Sequence, residues 1–132
     1  MQAKQFKDEY PIHTLTLLKS ETSRQDVDAI IATLKSKVDA HPVAIYIAIF
    51  DHYSHTSTLK EGKISTEILD AKELICCFGK ELMDPEMLAV RPRAIGVAER
   101  QDDFVISFIK APNPLANESM ISWVKDLADI AR

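Results

Sequence analysis

The sequence predicts an α+β protein in which an antiparallel sheet carries two long helices packed on one face, in the order β-α-β(4)-α. Two segments, one near each end of the chain, repeat apolar residues at helical spacing. One strand-like run precedes the first of these segments, and four more lie between the two. Strand runs that cluster together with two flanking helices are typical of a sheet that has its helices on one side.

The first helix is predicted within residues 20–41, where Ser23 and Asp26 resemble a capping box. Its buried stripe should consist of Val27, Ile30, Ile31, Leu34 and Val38. The last helix should follow Asn113 and Pro114. Its buried stripe should consist of Met120, Trp123, Val124, Leu127 and Ala131. The single tryptophan, Trp123, is therefore interpreted as a core residue.

Three of the strand predictions depend on side-chain pattern. Residues 10–18 (YPIHTLTLL) alternate well enough for a half-buried strand. Residues 43–50 (VAIYIAIF) are apolar on both faces, which favours an interior strand near the middle of the sheet. Residues 72–78 (KELICCF) predict a strand that Gly79 closes.

The remaining two strands are predicted at residues 94–99 and 104–110. The polar connection RQDD between them has the length of a hairpin, so they should pair antiparallel. Alternation then places Phe104, Ile106 and Phe108 on one face of the sheet.

Three segments have less regular patterns. Residues 1–9 are polar and aperiodic, which predicts a loose N-terminal arm. Residues 53–69 offer a turn of helix that ends before Gly62. Residues 81–88 indicate a short helical connection interrupted at Pro85.

Composition limits the classes of protein to consider. The 132 residues suit a single domain, and 46% apolar with 27% charged residues is ordinary for a globular protein. A formal charge of -4 without a basic stripe disfavours nucleic acid as a partner. No apolar run reaches the length of a membrane span, so no membrane association is expected. The adjacent Cys76 and Cys77 suit reduced thiols, which favours the cytoplasm.

Four stretches of this chain resemble a known family: FDH (50–52), KELICCFGKELM (72–83), VRPRAIGVAE (90–99) and DFVISFIKAPNPLA (103–116). They are similar to the strand ends, the Phe-Gly turn and the proline after the last strand in the family catalogued as domain of unknown function 302. That family is grouped with the TATA-binding-protein-like β-α-β(4)-α arrangements. The resemblance implies a small, dimeric protein without an agreed activity. The chain departs from it at Lys80 and Glu81, where the family commonly has Asn and Pro.

One group of candidate chemical residues surrounds the end of the strand at 43–50. His52 and His55 are three residues apart, so a helical turn would place both rings on one face beside Asp51. They are candidate metal ligands, but further ligands would have to come from Cys76, Cys77, His13 or His41. The alternative is that His52 bonds to backbone at the strand end and that His55 is exposed.

The two cysteines are candidate nucleophiles, since a nearby positive charge would lower the pKa of a thiol. Leu74, Ile75 and Phe78 around them favour packing instead, because burial in apolar surroundings raises the pKa of a thiol.

Arg91 and Arg93 flank Pro92 at the start of a strand. Two guanidinium groups so placed can clamp a carboxylate or phosphate of a small anionic ligand. Surface ion pairs with Asp84, Glu86 or Glu99 would explain the same two arginines.

Two hypotheses for function follow. The first is a homodimeric domain that binds a small ligand or a partner, with Asp51, His52, Arg91 and Arg93 as ligand-binding residues and no cofactor. Its dimer would cover the open face of the sheet. The alternative is an enzyme, redox or metal-binding protein that uses Asp51, His52 and Cys76 or Cys77. The sequence names no reaction.

Overall fold

The computed structural model describes residues 1–129. Their strands and helices are β1 Gln2–Phe6, β2 Tyr10–Leu18, α1 Val27–Ala40, β3 Ile45–Phe50, α2 His52–Thr58, β4 Asp70–Cys77, β5 Arg93–Glu99, β6 Asp103–Ile109 and α3 Pro114–Lys125. Short 3-10 helices cover Lys19–Glu21 and Pro85–Val90.

One antiparallel sheet contains the six strands of residues 1–129 in the order β1-β2-β6-β5-β4-β3. β5 and β6 form the predicted hairpin, with Gly96 opposite Ser107 and Glu99 opposite Phe104. α1 packs against β3, β4 and β5, and α3 packs against β2 and α1. The predicted α+β class, with long helices on one face of an antiparallel sheet, is confirmed.

The core lies between this sheet face and the two long helices. The central strands contribute buried residues at alternate positions, namely Leu15, Leu17, Leu74, Cys76, Ile95, Val97, Phe104, Ile106 and Phe108. All five residues of the predicted α1 stripe are buried against them. Met120, Trp123, Val124 and Leu127 are buried as predicted, whereas Ala131 lies outside the described residues.

Asp26 caps α1 by itself, since its carboxylate accepts a hydrogen bond from the backbone N–H of Ala29 at 2.7 Å. The predicted capping box between Ser23 and Asp26 is wrong. Ser23 instead donates its backbone N–H to the carboxylate of Asp129, beyond the end of α3. The chain before α1 is thereby tied to the chain after α3.

Residues 2–6 form the edge strand β1, so the loose arm predicted for residues 1–9 is wrong. Gln2 lies opposite Thr14 and Phe6 opposite Tyr10 in the pairing with β2. All five side chains are exposed, which means that backbone hydrogen bonds and not burial hold this strand. A strand without a buried face has no apolar alternation, and its sequence therefore carries no strand signal.

β3 lies at the opposite edge of the sheet, where the sequence predicted a strand near the middle. It pairs with β4, and Ile45, Ile47 and Ile49 are 63%, 49% and 42% exposed. Apolar residues on both faces of a strand usually indicate cover on both sides. Here they leave an apolar strand at the edge of the sheet.

α2 occupies part of the segment in which one turn of helix was predicted. Gly62 ends the following turn by donating its backbone N–H to the carbonyl of Leu59 at 3.1 Å. A Cβ atom at position 62 would overlap the carbonyl oxygen of Thr56. Glycine is therefore required here for space, because the backbone passes close to the last turn of α2.

None of the helices within residues 1–129 is long and apolar enough to cross a membrane.

Candidate functional site

A cavity of about 300 Å³ lies at one end of the sheet. Four segments meet there: the residue after β4, the Pro85–Val90 helix with the start of β5, the connection after β6, and the first turn of α3. The cavity is lined by Phe78, Met87, Val90, Arg91, Arg93, Ala111, Pro112, Asn113 and Ala116. Most of the lining is apolar, and the polar side chains are two arginines and one asparagine.

Arg93 is the buried cation of this cavity, with only 8% of its surface exposed. It lies opposite Cys76 in the β4–β5 pairing, so its side chain projects to the helix-covered face. Nη1 donates to the carbonyl of Val90 at 2.9 Å, and Nη2 donates to the carbonyl of Ile109 at 2.6 Å. Nε is buried and has no hydrogen-bond partner within residues 1–129.

The charge of Arg93 is not balanced by any carboxylate in the part of the chain that the structure describes. Burial raises the pKa of the neighbouring Cys76 thiol to about 11, so this thiol is neutral at pH 7 and supplies no counter-charge. Burial also lowers the pKa of Arg93 itself. An arginine nevertheless stays protonated in proteins, and an uncompensated buried ion is destabilising by several kcal/mol.

Arg91 lines the same cavity and is less buried than Arg93. Its Nη1 donates to the carbonyl of Glu81 at 2.7 Å. It also lines an adjoining cavity of about 290 Å³, which shares Phe78, Met87 and Asn113 with the first. Asn113 caps α3 by accepting from the backbone N–H of Leu115 at 2.9 Å. Two guanidinium groups and the N-terminus of α3 at this end of the sheet each favour a negatively charged group nearby.

The ion pairs that the sequence suggested for these arginines are not formed. Glu99 pairs with Lys19 at 2.7 Å, on another part of the sheet. Asp84 caps the Pro85–Val90 helix by accepting from the backbone N–H of Glu86 at 2.8 Å.

Asp51 and His52 lie at the start of α2, away from the arginine cavity. Asp51 caps α2 through the backbone N–H of Ser54 at 3.0 Å, and this hydrogen bond lowers the pKa of its carboxyl. His52 Nδ1 lies 3.0 Å from the hydroxyl of Thr56. Both side chains are therefore engaged in contacts within the first turns of α2.

His52 and His55 share one face of α2, as their spacing predicted, with ring centroids 6.4 Å apart. Both rings contact Phe50. Within residues 1–129 no group of three or more His, Cys, Asp or Glu side chains is placed to hold a metal ion. In the described part of the chain, the two histidines are therefore not completed to a set of three metal ligands.

The cysteines are not brought to His52. Cys76 pairs with Tyr46, whereas His52 follows Phe50, which pairs with Glu73. Three residues of strand separate these two levels by about 10 Å. Cys76 is also buried under the helices, while His52 borders the uncovered face of the sheet. The arrangement of Asp51, His52 and a thiol that the enzyme hypothesis requires is therefore not assembled.

His41 and His13, the other proposed ligands, are used by the fold. His41 Nδ1 accepts from the backbone N–H groups of Val43 and Ala44, both at 3.1 Å, and its ring contacts Phe78 and Trp123 edge-on. His13 Nε2 lies 3.0 Å from the side-chain amide nitrogen of Asn117. Burial, together with Lys110, lowers the pKa of His13, which favours its neutral form.

The uncovered face of the sheet has an open cleft of about 540 Å³. Its floor is made of small residues, and His52 and Glu73 border it. Val90 and Arg93 contribute to both this cleft and the arginine cavity.

Comparison with known protein families assigns the chain to a family. The model of the family described as "Family of unknown function (DUF6858)" matches residues 1–129. The chain belongs to this family. The resemblance to domain of unknown function 302 is therefore wrong as an assignment. The motifs behind it are strand ends, a turn and a proline, which antiparallel sheets share for structural reasons. No curated protein matches the chain. No solved structure matches it either.

Sequence reasoning identified both arginines but not the cavity around them. Its lining residues Phe78, Met87 and Ala111 come from separate segments of the chain. Two local signals did exist, namely the Phe78-Gly79 turn and the Asn113-Pro114 helix start. Neither signal shows that these segments meet.

Proposed function

We propose that this chain is a binding protein for a small anionic ligand whose negative charge is held by Arg93. The observation that carries the proposal is the buried guanidinium that lines a cavity, has a free Nε and has no carboxylate partner within residues 1–129. A bound anion would supply the missing counter-charge and would accept hydrogen bonds from the N–H groups of Nη1 and Nη2 that the two carbonyls leave unused. Arg91 and the N-terminus of α3 add to the attraction.

A purely structural role explains only some of the features of Arg93. The hydrogen bonds to Val90 and Ile109 tie the Pro85–Val90 helix to β6, and they engage both Nη atoms. They leave Nε without an acceptor and the whole charge unbalanced. Polar groups placed in an otherwise apolar cavity are the usual design of a small-ligand site.

Thermal unfolding in the presence of acetate, hexanoate or inorganic phosphate tests this function. We expect at least one of these anions to stabilise the wild-type protein, by about 2.7 kcal/mol at a concentration of 100 times Kd. Arg93→Met should abolish the effect, because it removes the charge and keeps a side chain of similar length.

Arg100→Met is the matched control. Arg100 is an arginine of the β5–β6 connection that already pairs with Asp103 at 2.7 Å. This variant should respond to the anions as the wild type does. Equal stabilisation of wild type and Arg93→Met, or no stabilisation by any of the three anions, would contradict the proposed function.

We further propose that the chain forms a homodimer through β3, in the cytoplasm, where its two free cysteines would stay reduced. Support comes from the apolar edge formed by Ile45, Ile47 and Ile49, in a strand without a charged residue. An exposed apolar edge is a template for pairing with another strand. The opposite edge strand, β1, carries Lys4. A second copy of β3 would meet the first without charge repulsion, about a two-fold axis.

Sedimentation at micromolar concentration tests the dimer. The wild type should sediment with twice the mass of the chain, and Ile47→Lys should sediment as a monomer, because a lysine on the edge opposes strand addition. Gln5→Lys places the same charge on β1 and should leave the dimer intact. A monomeric wild type would refute dimer formation.

A further inference from the structure

We infer that the ligand of the arginine cavity is a monocarboxylic acid with an apolar tail. The inference rests on the anionic-ligand function proposed above and names the chemical class of that ligand. Its basis is the composition of the cavity, in which two arginines and Asn113 are the polar side chains and the other six lining residues are apolar.

The apolar part of the cavity would receive the tail. Phe78, Ala111 and Ala116 are 7%, 3% and 2% exposed and form its inner wall. Met87, from the 3-10 helix, lines the same cavity. A methionine side chain adapts to the shape of its neighbour, and apolar walls favour a ligand that removes its own apolar surface from water.

The charged wall would receive the carboxylate. A guanidinium has five N–H donors in a planar fork, and the two hydrogen bonds of Arg93 to carbonyls occupy one donor on each Nη. Each Nη therefore keeps a second N–H, and these two donors suit the two oxygens of a planar carboxylate. One acid would then neutralise one buried arginine.

Free phosphate fits this cavity less well than such an acid. Inorganic phosphate is polar on every side, so any of its oxygens that face Phe78 or Ala116 would lose water without gaining a hydrogen bond. It would also leave most of a cavity of about 300 Å³ unfilled. Acetate shares the carboxylate but lacks the tail.

The adjoining cavity gives the tail room to extend. It is reached past Phe78 and Met87, which line both spaces. It adds the apolar Val43 and Leu115 together with the charged Lys80 and Glu81. An acid whose chain is too long for the first cavity would therefore extend between α3 and the segment that follows β4. This geometry predicts affinity that rises with chain length.

Trp123 provides an internal probe for binding. It is the single tryptophan of the chain, and its ring stacks on Phe78 with centroids 5.4 Å apart. A ligand that touches Phe78 changes the surroundings of Trp123. Fluorescence titration with acetate, butyrate, hexanoate, octanoate and inorganic phosphate should give a Kd that falls about fourfold for each methylene buried.

Two variants test the binding of the carboxylate and the binding of the apolar tail independently. Arg93→Met should abolish the response to every acid in the series. Ala116→Leu fills the apolar wall without removing the guanidinium, and it should weaken octanoate at least tenfold while leaving acetate within a factor of about three. Ala32→Leu, at an exposed position of α1, should bind as the wild type does.

The outcomes distinguish this inference from the proposed function. Equal affinity for acetate, octanoate and phosphate, lost in Arg93→Met, would overturn the apolar tail and leave the anion site standing. Tail-length dependence that persists in Arg93→Met would overturn the carboxylate head. The absence of any Arg93-dependent response would overturn both the inference and the proposed function.

Discussion

Replacing Trp123 by Ala should lower the free energy of unfolding by about 3–5 kcal/mol, a large part of the stability of a domain of this size. The side chain is 7% exposed, stacks on Phe78 and meets His41 edge-on with ring centroids 5.7 Å apart. These rings join α3 to the chain after β4 and to the end of α1. Removing the indole of Trp123 would leave a cavity, because the segments around it cannot all move in to fill the space. Urea denaturation followed by circular dichroism measures the change.

Leu115→Ala is the control on the same helix. Leu115 is 54% exposed, so its truncation should change the free energy of unfolding by no more than about 0.5 kcal/mol. Near-wild-type stability of Trp123→Ala would mean that the ring cluster does not hold α3 to the sheet.

Arg93→Glu should lower the free energy of unfolding by about 3–5 kcal/mol, because it leaves a buried carboxylate without a cation. The new side chain would face the carbonyl oxygens of Val90 and Ile109, which now accept hydrogen bonds from the guanidinium. Acceptors would then oppose acceptors at a position that is only 8% exposed. Urea denaturation at pH 7 measures this change as well.

Charge reversal at an exposed lysine is the control that distinguishes the effect of burying a charge from the effect of changing the net charge. Lys63 is exposed in the connection between α2 and β4, and Lys63→Glu changes the total charge by the same amount as Arg93→Glu. Its free energy of unfolding should stay within about 0.5 kcal/mol of wild type. If Arg93→Glu were equally mild, the guanidinium would not be buried as described.

The predictions that held were those in which local pattern and burial agree. β2 has the bounds predicted from its alternation, Tyr10–Leu18, because its Leu15 and Leu17 face the core. The β5–β6 hairpin formed as expected from its short polar connection. The α1 stripe is buried in full, since one apolar face needs only one sheet to cover it.

The predictions that failed concern position within the sheet. β1 has no buried side chain, and β3 is apolar yet lies at an edge. Whether a strand is central or peripheral depends on which strands pair on either side of it. That choice is made by residues distant in sequence, so the pattern within one strand cannot determine it.

The sequence by itself determined the α+β class, the apolar stripes of the two long helices and the presence of two arginines around Pro92. These features follow from side-chain chemistry and from spacing along one segment, which act before distant segments meet. The tertiary structure decided which of the suggested residues share a site. It placed Arg93 inside a cavity without a carboxylate, and it left Asp51 and His52 apart from the cysteines. Burial and pairing of charge depend on the segments that fold against a side chain, and only the assembled fold supplies them.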